Sequence, residues 1–372
     1  MIKRFARRAV LSGVARVATG AFVGAALLAA IPGAADAGKI TVYTSYEEDE
    51  LASFLEAMNN DLPDIEVDVL RLSTGDLRAR MLAEAENPKH DVIWGWAATS
   101  MVDPRIMAMI EPYSPEGIEK VPARFRDKDG NWFATTGYMG AFCVNLPEME
   151  KANLPMPTSW QDLTKPEFEG KLVMPNPASS GTGYLHVASI LQMMGEEKGW
   201  EYLDALDKSM DQYIKSGSKP CNAASAGEFP IGISFALRAI KNIDEGYPIA
   251  MVLPSEGAGH ELEANALMKT SQNKEDAKKF LDWIVSKSAE EQYNKWKSIV
   301  TMQGRTMPEK FKAAGLPEDA VQTVGTTDRE AVAAAVRGAT TKAPAEPAPD
   351  FASMSDREFG EVQEKLIGFR TV

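Results

Sequence analysis

The chain reads as an α/β protein with mainly parallel sheets, arranged as two lobes. Three observations lead there: strand and helix signals alternate through residues 40–95, the pattern restarts after residue 140, and a late strand followed by two helices closes it. Residues 40–43 are a short β-branched and aromatic run, and Leu51, Phe54, Leu55 and Met58 then recur at helical spacing. Residues 65–70 give a second strand, 77–85 a second helix and 91–95 a third strand. Sheets of this βαβα order bind ligands beyond the carboxyl ends of their strands, which marks three loops: residues 44–48, 73–76 and 94–100.

A strand over residues 140–144 starts the second unit, with 171–174, 231–234 and 249–253 as its companions. Residues 264–268 return as a strand, and helices over 274–285 and 289–297 follow, the first burying Phe280, Leu281, Trp283 and Ile284. One lobe is thus expected over residues 38–140 with a return segment at about 257–300, the other over 141–256, joined near Ala141 and Glu256. Gly257, Gly259 and His260 form a segment suited to a hinge or a plain turn. Residues 301–372 are a C-terminal extension containing the Pro/Ala-rich linker TKAPAEPAPD at 341–350, with a short helix expected over 356–366.

Lys3, Arg4, Arg7 and Arg8 precede a small apolar run at 19–31, and Ala35-Asp36-Ala37 reads as a cleavage site, so residues 1–37 are expected to be a removed export signal. Arg7-Arg8 loosely matches a twin-arginine signal, and the general secretory route fits better. The signal carries five basic residues and one acid, so the formal charge of −13 becomes −17 without it. That acidity argues against nucleic acid as a partner, but local donors can still hold a small anion, because a distant charge is screened over about 8 Å. Cys143 and Cys221 form a disulfide or two buried thiols; an oxidising compartment favours the disulfide.

Residues 174–184, MPNPASSGTGY, are the most informative stretch: two prolines stop a strand, and hydroxyls and glycines open a helix. Helix N-termini leave N–H groups unpaired, so Ser179, Ser180, Gly181 and Thr182 suit an oxyanion, although an ordinary N-cap uses the same residue types. Little supports enzymatic chemistry. His90, His186 and His260 are far apart, no metal-ligand spacing surrounds them, and the nucleotide and nucleophile-elbow motifs are absent. No cofactor and no metal are implied.

The phrases VYTSYEEDEL, DVIWGWAATS, NPASSGTGY, LQMMGEEKGW, SGSKPC, GEFPIGISF and PSEGAG together resemble the periplasmic solute-binding proteins of ATP-driven (ABC) importers. Within these the chain most resembles the 2-aminoethylphosphonate-binding type, in the group that also holds ferric-ion binders. The match covers residues 40–300 and fades beyond. The resemblance implies a type II periplasmic binding protein fold, a monomer that closes its lobes on a small ligand and hands it to an inner-membrane permease.

For that ligand, Ser179, Ser180, Gly181 and Thr182 of one lobe face Thr44, Ser45, Ser73 and Thr74 of the other around the phosphonate. Ser73 and Thr74 also suit an N-cap. The ammonium wants a carboxylate or an aromatic face, for which Glu47 is preferred, with Trp94 as a wall and Tyr46 and Phe235 nearby. Ser218, Lys219, Arg238 and Glu256 form a second rank. Rival readings are a ferric binder, a polyamine or sugar-phosphate binder, and a secreted hydrolase. Iron ranks low because Tyr184, Tyr202 and Tyr213 are isolated and residues 231–238 hold Phe235 but no tyrosine.

Overall fold

The computed structural model describes residues 38–305, 307–314 and 316. The expected export signal at 1–37, the linker at 341–350 and the helix at 356–366 lie outside the described residues.

The chain opens with β1 (Gly38–Thr44), α1 (Glu48–Asp61), β2 (Ile65–Arg71), α2 (Thr74–Ala83) and β3 (Val92–Ala97). β1 pairs in parallel with both β2 and β3. A capping box between Glu47 and Glu50 starts α1, and Glu48, Asp49 and Glu50 complement its dipole. Its buried face is Leu51, Phe54 and Met58. β3 is buried along its whole length, as a central strand must be. Gly95 there has φ +65, and an added Cβ would sit 2.0 Å from the Tyr46 ring, so glycine is required both by the backbone and by that packing.

After the short helices α3 (Ala98–Met101) and α4 (Pro104–Met107) and the two-residue β4 (Ile110–Glu111) comes β5 (Phe133–Asn145). The sequence pattern marks only residues 140–144 as strand. The true strand is longer because its first half serves the other lobe. α5 (Leu146–Lys151), β6 (Leu172–Pro175), α6 (Gly181–Met194), α7 (Glu196–Asp207), β7 (Met210–Ile214), α8 (Lys219–Ser225), β8 (Ile231–Phe235), α9 (Ala236–Asp244) and β9 (Ile249–Val252) follow. The chain then returns as β10 (His260–Met268), α10 (Lys274–Ile284), α11 (Lys287–Trp296), β11 (Ile299–Val300) and α12 (Glu309–Ala313).

Two sheets share β5. Up to Met139 it lies antiparallel to β10, which in turn pairs with β3, and from Gly140 it pairs with β8 and β9. β6 runs parallel to β7 and β8. The fold is therefore a two-lobed α/β arrangement of mixed sheets: the βα units are parallel, and the strands linking the lobes are antiparallel. Gly140 N–H donates to Gly259 O at 2.8 Å, tying the two linking segments together.

One core gathers Phe54, Trp94, Phe280, Trp283 and Tyr293 with β1, β3 and β10. A second gathers Phe142, Trp160, Phe168, Leu172 and Ile233. α12 belongs to neither: Met307, Phe311 and Leu316 pack on Phe235, Leu237 and Ile240 of the second lobe, although the chain has just left the first.

Cys143 on β5 and Cys221 on α8 are joined by a disulfide, Cα–Cα 5.2 Å, inside a small buried cluster with Ala224, Ala239 and Ile249. It closes a loop with a sequence separation of 78. Replacing both cysteines with alanine is expected to lower the free energy of unfolding by about 2–4 kcal/mol, read from urea denaturation.

Candidate functional site

Between the lobes lies a cleft with about 500 Å³ of empty space, counting its open mouth. It is built where strands of both lobes end: Ser45 and Glu47 after β1, Arg71 closing β2, Ser73 and Thr74 opening α2, and Ser180, Gly181 and Thr182 opening α6. Phe235 and Leu237 form an apolar wall, and Tyr138 reaches in from β5.

Two helix N-termini meet across this cleft. Ser73 stands at the N-cap of α2 but its side chain makes no cap bond, whereas Ser180 Oγ caps α6 by accepting from Gly183 N at 3.4 Å. The lobes touch there: Gly75 N–H donates to Ser179 O at 2.9 Å, and a Cβ on Gly181 would lie 2.6 Å from Thr74 Oγ1. Both N-termini carry partial positive charge, so placing them face to face favours an anion between them. Arg71 adds a full charge beside α2. Its Nε donates to Tyr46 O at 2.9 Å and its terminal nitrogen lies 3.1 Å from Glu47.

The cleft also reaches Glu50, Glu263 and Lys297. Lys297 Nζ, with its side chain only 3% exposed, lies 2.8 Å from a carboxylate oxygen of each acid and 4.2 Å from the Tyr46 ring centroid. Glu263 also accepts from Thr136 Oγ1 at 2.7 Å. Burial raises the Glu50 carboxyl; Lys297 opposes the rise and the Glu263 charge adds to it. Burial would lower the Lys297 ammonium, but Glu263 and Glu50 together hold it above its ordinary value. These charged groups can meet a ligand's polar end without first being stripped of water.

Of the residues marked by sequence, Ser45, Glu47, Ser73, Thr74, Ser180, Gly181, Thr182 and Phe235 line the cleft. Several do not, and each has its own reason. Thr44 is fully buried and its Oγ1 accepts from Tyr46 N at 3.1 Å, shaping the turn. Tyr46 and Trp94 are fully buried core residues: their rings meet edge to face at 5.4 Å, and Phe54, Phe280 and Trp283 surround Trp94. Trp94 is therefore not a ligand wall. Ser179 Oγ is spent on Lys215 O at 3.1 Å. Lys219 starts α8 but is exposed. Glu256 accepts from the N–H groups of Trp160 and Gln161 at 3.0 and 3.1 Å within its own lobe. Ser218 and Arg238 meet the opposite lobe directly: Ser218 Oγ donates to Glu47 Oε2 at 3.0 Å, and Arg238 lies 3.2 Å from Asp49 and 3.8 Å from Glu47.

Sequence reading passed over Arg71, Tyr138, Leu237, Glu50, Glu263 and Lys297. Arg71 was within reach, since it ends a strand whose following loop was already marked. Tyr138, Glu263 and Lys297 come from the linking strands and the end of α11, where no local pattern signals a ligand.

Residues 90–320 match the bacterial extracellular solute-binding protein family, and the chain belongs to that family. It is 32% identical to an uncharacterised protein of Haemophilus influenzae, over 72% of this chain and 80% of that one. It is 29% identical to a probable ABC transporter periplasmic-binding protein of Sinorhizobium fredii, over 71% and 74% of the two chains. Among solved structures it is similar to the periplasmic binding protein AfuA of Actinobacillus pleuropneumoniae with fructose-6-phosphate bound, with a TM-score of 0.68 and 27% identity, covering 76% of this chain and 88% of that one.

Two expectations follow from the geometry. A Cβ on Gly75 would sit 2.0 Å from Ala178 O of the facing lobe. Gly75→Ala suits α2 in an open protein but obstructs closure, a clash of about 1–3 kcal/mol, and is expected to weaken ligand binding about tenfold or more by calorimetry. The second concerns Glu261, at the start of β10. Burial pushes its carboxyl from 4.5 up to about 7, despite the Thr99 hydroxyl and the Leu262 N–H. The folded chain thus holds this proton more tightly than the unfolded chain. The stability it contributes is full below the unfolded value and is lost as pH rises through about 7. Glu261→Gln should flatten the fall of melting temperature between about pH 5 and 8.

Proposed function

We propose that this chain is the substrate-binding component of an ABC importer and captures a small organic phosphonate, with 2-aminoethylphosphonate first in order. The observation that supports this most is the facing pair of helix N-termini, α2 and α6, with the hydroxyls of Ser73, Thr74, Ser180 and Thr182 and the guanidinium of Arg71 around the gap. A phosphonate needs several donors from more than one side, and this arrangement supplies them only when the lobes meet. The ammonium end is directed to the acids Glu50 and Glu263, and Phe235 and Leu237 cover the carbon chain.

Residues 38–140 with 257–300 form one moving body and 141–256 the other, turning about the Gly140–Gly259 link. Residues 1–37 direct export to the periplasm and are removed there. The closed form is the species offered to the permease, and the chain serves as a receptor rather than a catalyst.

A sugar phosphate is the second reading. It is favoured by the relative from Actinobacillus pleuropneumoniae with fructose-6-phosphate bound, and the acids of the cleft accept from sugar hydroxyls as readily as from an ammonium. Ferric iron is less favoured: among the described residues lining the cleft, Tyr138 is the one tyrosine.

Titration calorimetry and thermal shift with 2-aminoethylphosphonate, fructose 6-phosphate, inorganic phosphate and ferric ion separate these readings. Binding of 2-aminoethylphosphonate, weakened about tenfold or more by Thr182→Ala, is expected. Stabilisation by fructose 6-phosphate alone favours the second reading, and stabilisation by ferric ion alone overturns both.

A further inference from the structure

Glu47 lines the cleft, yet its carboxylate is already engaged on both sides. One oxygen lies 3.1 Å from the Arg71 guanidinium in its own lobe. The other accepts from Ser218 Oγ at 3.0 Å and lies 3.8 Å from Arg238, both on the facing lobe. Glu47 is also the N-cap of α1, and its backbone N–H donates to Glu50 Oε1 at 2.8 Å, so its backbone is fixed as well.

We infer that Glu47 is a positioning residue: it aims Arg71 at the ligand's anionic end and makes that aim depend on lobe closure, rather than itself pairing with the ligand's cation. Two of the five donors of Arg71 are bound by the Tyr46 carbonyl and the Glu47 carboxylate, which fixes the plane of the guanidinium. Arg71 lines the same cleft as Ser73 and Thr74 at the opening of α2, where the oxyanion is expected. As the lobes meet, Ser218 and Arg238 take the second Glu47 oxygen, so the side chain that orients Arg71 is steadied only in the closed state. Asp49, two residues along from this contact, is held by Arg238 at 3.2 Å and by Lys241, and it anchors the same edge of the closed form.

This inference rests on reading the cleft as a phosphonate or phosphate site. The experiment compares 2-aminoethylphosphonate with ethylphosphonate, which lacks the amino group, on the wild type, Glu47→Gln, Arg71→Gln and the double variant, by calorimetry. The inference expects Glu47→Gln to weaken both ligands by a similar factor, about tenfold. It also expects the double variant to bind no more weakly than Arg71→Gln alone, since without Arg71 nothing is left for Glu47 to orient. A loss confined to 2-aminoethylphosphonate overturns the inference, because Glu47 then pairs with the ammonium. Additive losses in the double variant overturn it as well. Melting temperatures of the ligand-free variants identify a merely structural role, which would lower stability and leave the affinity of the folded fraction unchanged, again against the inference. If the wild type takes fructose 6-phosphate instead, the same comparison runs against inorganic phosphate. A wild type that binds none of these ligands defeats the reading of the cleft, and the inference with it.

Discussion

Strand β5 has to satisfy two sheets at once, and the rest of the molecule is arranged around that demand. Its first half completes the sheet of β1, β2, β3 and β10, and its second half completes that of β6, β7 and β8. Neither lobe can close its core without it. The changeover falls at Gly140, where a Cβ would lie 2.6 Å from His186 of α6, so the backbone must run close under that helix. The helix that opens on the cleft therefore lies directly on the joint between the lobes.

The cleft keeps its charge in a condition that favours capture. Carboxylates and cations buried together are costly unless each is paired, and here each pairing is made within the protein. Lys297 has Glu50 and Glu263, Arg71 has Glu47, and Arg238 has Asp49. A ligand meets the Lys297, Glu50 and Glu263 cluster already dehydrated and oriented, so little reorganisation of that cluster remains when it binds. The helix N-termini add partial positive charge, although Gly75 N–H of α2 and Gly183 N–H of α6 already donate to Ser179 O and Ser180 Oγ.

Much of the fold was legible because its signals are local. The alternation in β1, α1, β2 and α2, the capping residues of α1 and the Ser-Ser-Gly-Thr opening of α6 are all written within one or two turns of chain. The carboxyl-end rule for strands points to the loops after β1 and β2, and both line the cleft. It does not hold for Trp94, which lies inside β3 rather than beyond its end and points into the aromatic core. Lys297, Glu263 and Tyr138 were out of reach for a different reason. They meet only because β5, β10 and α11 converge from points far apart in sequence, and no spacing encodes that convergence.

The segment ending in α12 adds a third strut. With β5 and the stretch before β10, the chain passes between the lobes three times, and the last passage is fastened by Met307, Phe311 and Leu316 behind the Phe235 and Leu237 wall. Two tethers lying side by side make a joint that can both bend and wring. The third is packed in one cluster with Ala141 of β5, with Tyr138 and Met139 beside it, so it braces the joint itself. The same brace lies behind the wall of the cleft in which Gly75 stands opposite Ala178.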